Sequence, residues 1–204
     1  VTERGISLMA EQQVSNLLNN RQREFEGLSR QLSNWIGTGV GQAARRLQME
    51  KILRCWRNGL YRGQDPAFEL DLRGADALPE WDADFSHVRT VRINSGQLTD
   101  DAGSALLARF SRLKKLDILV QGQDTAALAG KLPEWTTITE LSLAGLGQVY
   151  APQFLRALEG MTQLEVLTLW GDTDSMDFSK LTGLRSLNVL GQRWPTGVLE
   201  LPML

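Results

Sequence analysis

The 204-residue chain holds one cysteine, Cys55, and one histidine, His87, the residue types most often used as nucleophile and base. A thiol becomes reactive when a base or cation stabilises its thiolate. Cys55 falls on the apolar side of a segment with helical periodicity, with no histidine near it in sequence, so a buried and inert thiol is expected. His87 opens a repeated segment and is expected as a polar edge residue. A lone cysteine forms no internal disulfide, and with one histidine it does not supply a zinc ligand set. The pairs Asp82 with Asp84 and Asp172 with Asp174 have the composition of carboxylate dyads. They lie in turns, where Asp usually accepts backbone hydrogen bonds. Gly37-Thr38-Gly39-Val40-Gly41 could be mistaken for a phosphate loop, but it lacks the Gly-Lys-Ser/Thr ending and is not preceded by a strand, so it reads as a turn. No catalytic residue, metal ligand or cofactor site is expected.

The elements that must position these residues fall into two parts. Residues 1–60 read as a helical hairpin. From about Ser7 to Ile36 there is no proline, and Val14, Leu18, Phe25, Leu28, Leu32 and Trp35 step by threes and fours, interrupted by Arg21. After the glycines, about Gln42 to Arg57 carries Ala44, Leu47, Ile52, Cys55 and Trp56 at helical spacing and ends at Asn58-Gly59. The hairpin is expected to cap the remainder of the chain, rather than to form an intermolecular coiled coil.

Residues 61–204 repeat themselves. A segment of the form L-x-x-L-x-L recurs six times: Ala67 to Leu72, Val88 to Ile93, Leu113 to Ile118, Ile138 to Leu143, Leu164 to Leu169 and Leu184 to Val189. Its middle apolar residues, Leu70, Val91, Leu116, Leu141, Leu167 and Leu187, are spaced by 21, 25, 25, 26 and 20 positions. That period predicts an α/β leucine-rich-repeat solenoid of about six repeats, with a curved parallel sheet and a helical or irregular convex side. Helical return paths are expected after Thr99-Asp100-Asp101 (Ala105, Leu106, Phe110), at Thr125 to Lys131 capped by Asp124, and at Phe154 to Leu158 between Pro152 and Gly160. The stretches around Pro79 and Phe178 are shorter and expected to turn with little or no α-helix. Where regular repeats of this kind place Asn, this chain has Ala75, Gly96, Gln121, Leu146, Asp172 and Gln192, so its internal ladder is expected to be irregular.

Between the inward apolar residues, alternate side chains face out along the concave sheet. Aligning the repeats gives a column of Glu69, Thr90, Lys115, Glu140, Val166 and Ser186, and a second of Asp71, Arg92, Asp117, Ser142, Thr168 and Asn188. A third runs Arg73, Asn94, Leu119, Ala144, Trp170 and Leu190. An exposed apolar row centred on an aromatic residue is the usual appearance of a binding hot spot. The expected partner-binding residues are Trp170, Leu190, Leu119, Thr168, Asn188, Val166, Arg92 and Asp117. The alternative is that Trp170 folds over the sheet edge against a flanking loop.

Charge narrows the partner. Residues 1–60 carry nine Lys/Arg and five Asp/Glu, and residues 61–204 carry thirteen and nineteen. The repeats are therefore acidic, which argues against nucleic acid, whose phosphates require a basic footprint. No apolar run is long enough for a membrane-spanning helix, and the first residues lack the pattern of a secretory signal. No small-molecule cofactor is implied. The chain starts at Val1, and after the sixth repeat passes through Trp194 and Pro195 to Pro202-Met203-Leu204 with no polar capping helix. A longer parent with a truncated carboxyl-terminal end to the repeats, and a frayed last edge, is the expectation.

Together the leader and repeats resemble Gram-negative bacterial toxin and effector proteins that join leucine-rich repeats to a novel E3 ubiquitin ligase (NEL) domain. The resemblance rests on Gln22-Arg23-Glu24-Phe25-Glu26-Gly27-Leu28, Leu32-Ser33-Asn34-Trp35-Ile36, Ala43-Ala44-Arg45-Arg46 and Ile52-Leu53-Arg54-Cys55-Trp56-Arg57 in the leader. At the junction it rests on Leu78-Pro79-Glu80 with Ala83-Asp84-Phe85-Ser86-His87-Val88, and later on Leu132-Pro133-Glu134-Trp135. It implies secretion by the bacterium into host cytoplasm, and recognition of a host protein on the concave face as the substrate-binding part of a ligase. The family's Cys-x-Asp motif lies in a separate domain, and Cys55-Trp56-Arg57 does not match it, so no ligase residue carries over. The alternative is a structural or autoinhibitory scaffold packing against other domains of a large multidomain toxin.

Overall fold

The computed structural model describes residues 3–60, 68–99, 101–121, 125–145, 149–191 and 195–204, with side chains from residue 8 onward. Ala67, Asp100, Asp124, Leu146, Gln192 and Trp194, each given a place in the repeat pattern, lie outside the described residues. The protein is mixed α/β: two long helices lead into a six-stranded, all-parallel sheet with short helices between the strands.

Helix α1 spans Glu3–Ile36 and α2 spans Gln42–Asn58. Gly37, Gly39 and Gly41 between them have φ of 59°, 101° and 88°, a region that side chains with a Cβ rarely enter. The glycines thus serve a tight reversal. Leu28 and Leu32 of α1 are buried with Ile52, Leu53, Cys55 and Trp56 of α2, and Phe25 lies 5.6 Å from Trp56, ring to ring. Because α2 has half the length of α1, it covers only the second half of that helix. Val14 and Leu18, expected in the apolar seam, are exposed with Leu8, Met9 and Leu17. Ala44 and Leu47 of α2 are exposed as well, and the buried residue on that turn is the polar Gln48. With its amide suitably oriented, Gln48 donates to the Asp71 carbonyl (2.9 Å) and accepts from the Gly74 N–H (3.1 Å). A buried amide is tolerable only when paired in this way.

The hairpin is fastened to the first turn after the sheet begins. Arg45 donates Nε and Nη2 to the two carboxylate oxygens of Asp76, at 2.8 and 2.7 Å. This fork holds the Asp76 carboxyl below its usual range. Gln31 Nε2 donates to Asp82 (2.7 Å), and Glu24 accepts from the Asp84 N–H (2.6 Å) and the Trp56 indole (3.3 Å). Trp81, Phe85 and Phe110 pack tilted and edge to face beneath, continuing one hydrophobic core from the helices into the sheet.

The strands are β1 (Glu69–Asp71), β2 (Thr90–Asn94), β3 (Lys115–Leu119), β4 (Glu140–Ala144), β5 (Val166–Trp170) and β6 (Ser186–Leu190), each paired with the next. The pairs Leu70–Val91, Val91–Leu116, Leu116–Leu141, Leu141–Leu167 and Leu167–Leu187 align the repeated leucines in register. These residues are buried as far as Leu167, while Leu187 and Val189 on the edge strand β6 are half-buried.

The return paths are helical at α3 (Asp101–Ala108), α4 (Thr125–Leu128) and α5 (Pro152–Glu159). Helix α3 stops before Phe110, and α4 is a single turn, shorter than the expected Thr125 to Lys131. Pro152 stands in the first turn of α5, and Gly160 takes the C-cap with its N–H on the Ala157 and Leu158 carbonyls. Around Phe178 only a short 3-10 turn forms, Phe178–Lys180, and the stretch around Pro79 is irregular.

Candidate partner-binding face

Strand alternation sends every second side chain of β1–β6 away from the core. The observed register sets Glu69, Thr90, Lys115, Glu140, Val166 and Ser186 side by side, and beside them Asp71, Arg92, Asp117, Ser142, Thr168 and Asn188. In the third column Leu119 pairs with Ala144, and Trp170 with Leu190. All eight residues expected from the sequence therefore share one face. The structure divides them into two groups.

Arg92 and Asp117 belong to a charged region over β1–β3. Arg92 Nε lies 2.9 Å from Glu69 and 3.4 Å from Asp117, and Lys115 Nζ is 4.0 Å from Asp117. Arg73 meets Asp71 at 2.9 Å, and that hydrogen bond holds the Asp71 carboxyl below its usual range. Each of these charges has an opposite charge beside it. Their alignment is loose, because Arg92 Nε and Asp117 Oδ1 are buried without a well-formed hydrogen bond.

Trp170, Leu190, Thr168, Asn188 and Val166 belong to an uncharged region over β5 and β6. Trp170 is 39% exposed and Leu190 56%, and Leu119 on β3 adds a third exposed apolar side chain at 37%. The backbone under Trp170 is held by Tyr150, whose ring is buried against Phe154. The Tyr150 hydroxyl accepts from the Trp170 N–H (3.2 Å) and lies 3.0 Å from the Trp170 carbonyl and 3.3 Å from that of Leu143. Burial pushes its pKa up to about 12.

Tyr150 was invisible to the repeat pattern, as was Gln97. The Gln97 amide donates to the Leu72 and Ala75 carbonyls (3.1 and 2.8 Å) and accepts from the Asn94 N–H (2.8 Å). Together with Ser95, which accepts from the Gln121 N–H (2.9 Å), these side chains bond successive turns. The only available cue was a Gln or Tyr a few positions past a repeated leucine, too common a signal to single out.

The residue types suited to chemistry are engaged structurally. His87 does approach Cys55, with Nε2 3.9 Å from the sulfur, a juxtaposition that a separation of 32 positions concealed. The same nitrogen lies 2.9 Å from the Cys55 carbonyl oxygen. A hydrogen bond there requires Nε2 to carry the proton, so in that tautomer it does not accept one from the thiol. His87 is also held between Phe85 and Phe68. Asp84 accepts from the Ser86 N–H and Asp172 from the Asp174 N–H, so one member of each acidic pair closes a turn. Among the described residues no three His, Cys, Asp or Glu side chains group as a metal site, and no helix is long and apolar enough to cross a membrane. Comparison of the chain with protein-family models, curated proteins and solved structures gives no match.

Proposed function

We propose that the chain is a leucine-rich-repeat solenoid that binds a protein on its concave face through Trp170, Leu190 and Leu119. The repeated leucines, their spacing and the consecutive parallel pairing of β1–β6 support the solenoid reading. The observation that carries the binding reading is an exposed aromatic residue, in line with Leu190, on a backbone fixed from behind by Tyr150. A rigid, partly exposed tryptophan gives a partner contact area at small entropic cost.

On the resemblance to NEL-type effectors, we take that partner to be a host protein and the chain to be the substrate-binding part of a secreted ligase of that type. A second reading, a scaffold or autoinhibitory contact with other domains of a large toxin, draws support from the exposed Val14, Leu17 and Leu18 on α1.

The test is site-specific photocrosslinking in host-cell extract. A photoreactive residue at Asn188 should capture a discrete partner, the same group at Arg156 on α5 should not, and Trp170→Ala should remove the Asn188 product. Equal capture from both positions, or capture indifferent to Trp170→Ala, would refute the concave-face reading.

A further inference from the structure

The division of the face into paired charges and an uncharged area restricts the chemistry of whatever binds there. All six outward side chains of β5 and β6, namely Val166, Thr168, Trp170, Ser186, Asn188 and Leu190, are uncharged. The cations on the same face, Arg73, Arg92 and Lys115, each have a carboxylate within 4.0 Å. A carboxylate from a partner laid over the middle of β5 and β6 would lose hydration with no cation among the outward side chains of those strands to replace it; Arg185 stands only just ahead of β6, and Arg92 could serve it only by leaving Glu69 and Asp117. Glu140 on β4 borders the patch, half-buried, beside Val166. Lys115 is its in-register neighbour on the other side, so the Glu140 charge is offset there, while toward Val166 it favours a cation over a carboxylate.

We propose that the partner presents to β5 and β6 a short segment with an aromatic or aliphatic side chain and no acidic residue, any charge it carries being positive and placed toward Glu140. This rests on the concave-face reading and adds the chemical class of the ligand. Thr168, Ser186 and Asn188 supply neutral donors and acceptors for the segment's backbone, and Trp170 with Leu190 supply its apolar contact.

The experiment is selection of random peptides displayed on phage against the immobilised whole chain, with affinity then measured for the selected peptides. The expected peptides have an apolar core free of Asp and Glu. They should bind at least tenfold more weakly to Trp170→Ala and to Asn188→Asp, which adds an uncompensated charge to an exposed position without removing packing. Arg156→Ala on the helical side should bind as the unsubstituted chain does. Affinity for a peptide with an uncharged core should change less than about twofold as ionic strength rises from about 0.05 to 0.5 M. Glu140→Gln should reduce any enrichment of Lys or Arg. Acid-containing peptides whose affinity collapses with salt and with Arg92→Ala would overturn the inference and leave the concave-face reading standing. Peptides that bind every face variant equally would overturn both. Failure to enrich any peptide would overturn the inference.

Discussion

Removing one oxygen atom, in Tyr150→Phe, tests how the backbone beneath Trp170 is held. Tyr150 is 3% exposed, so its ring keeps its packing as Phe and the change isolates the hydroxyl. That hydroxyl accepts one hydrogen bond, from the Trp170 N–H, and donates its single proton toward the nearer of two carbonyls, that of Trp170. Leaving a fully buried donor or acceptor unpaired costs about 1–3 kcal/mol, and because the Trp170 backbone groups are only part-buried the loss should lie near about 1 kcal/mol. For a chain of this length each kcal/mol corresponds to about 2–4 °C in melting temperature. The expected result is a lower urea midpoint at unchanged slope, with faster amide exchange at Trp170. Alkali offers a second readout. The native pKa of about 12 stands above the roughly 10 of an unfolded tyrosine, so the unfolded chain releases this proton first. The Tyr150 contribution is intact below about pH 10 and is lost as pH rises toward about 12, and Tyr150→Phe should lack that loss. An unchanged midpoint together with unchanged protection at Trp170 would refute the account.

Leu167→Ala empties a fully buried site between Leu141 and Leu187 and should destabilise by about 2–5 kcal/mol, as read from denaturant melts. Cys55 is buried, with His87 beside it, so a thiol reagent should label it slowly in native buffer and rapidly in denaturant; equal rates would point to a reactive thiol. The depressed Asp76 carboxyl favours the folded state above the unfolded pKa of about 4 and loses that contribution as pH falls through its lower native value. Asp76→Asn should therefore lower the melting temperature at neutral pH and flatten its acid dependence, with parallel curves counting against the Arg45 link.

How much was legible depended on whether a residue's role was set by periodicity or by a distant neighbour. The repeated leucines and outward columns could be aligned because inward burial recurs with the repeat, and Leu116, Leu141 and Leu167 pair in register as the alignment requires. The lengths of α1 and α2 were nearly legible, yet Val14 and Leu18 were assigned to a seam that only α2 could cover, and α2 ends too soon. The buried Gln48 and Tyr150 and the half-buried Gln97 escaped because the role of such a polar side chain is defined by the carbonyl it meets. The approach of His87 to Cys55 escaped for the same reason. On the candidate face the sequence aligned the members, but not that Arg92 would be taken up between Glu69 and Asp117.

The order β1-β2-β3-β4-β5-β6 also bears on how quickly the chain can find its structure. Parallel sheets usually join strands remote in sequence and therefore fold slowly. Here each strand meets the next through residues 20 to 26 positions apart, about a tenth of the chain length. The entropy of closing each loop grows only with the logarithm of its length, so the five closures cost nearly the same. No pair of strands must wait for the chain ends to meet. Folding can begin at whichever neighbouring pair buries its leucines first and spread outward, at the pace of a protein built from local contacts.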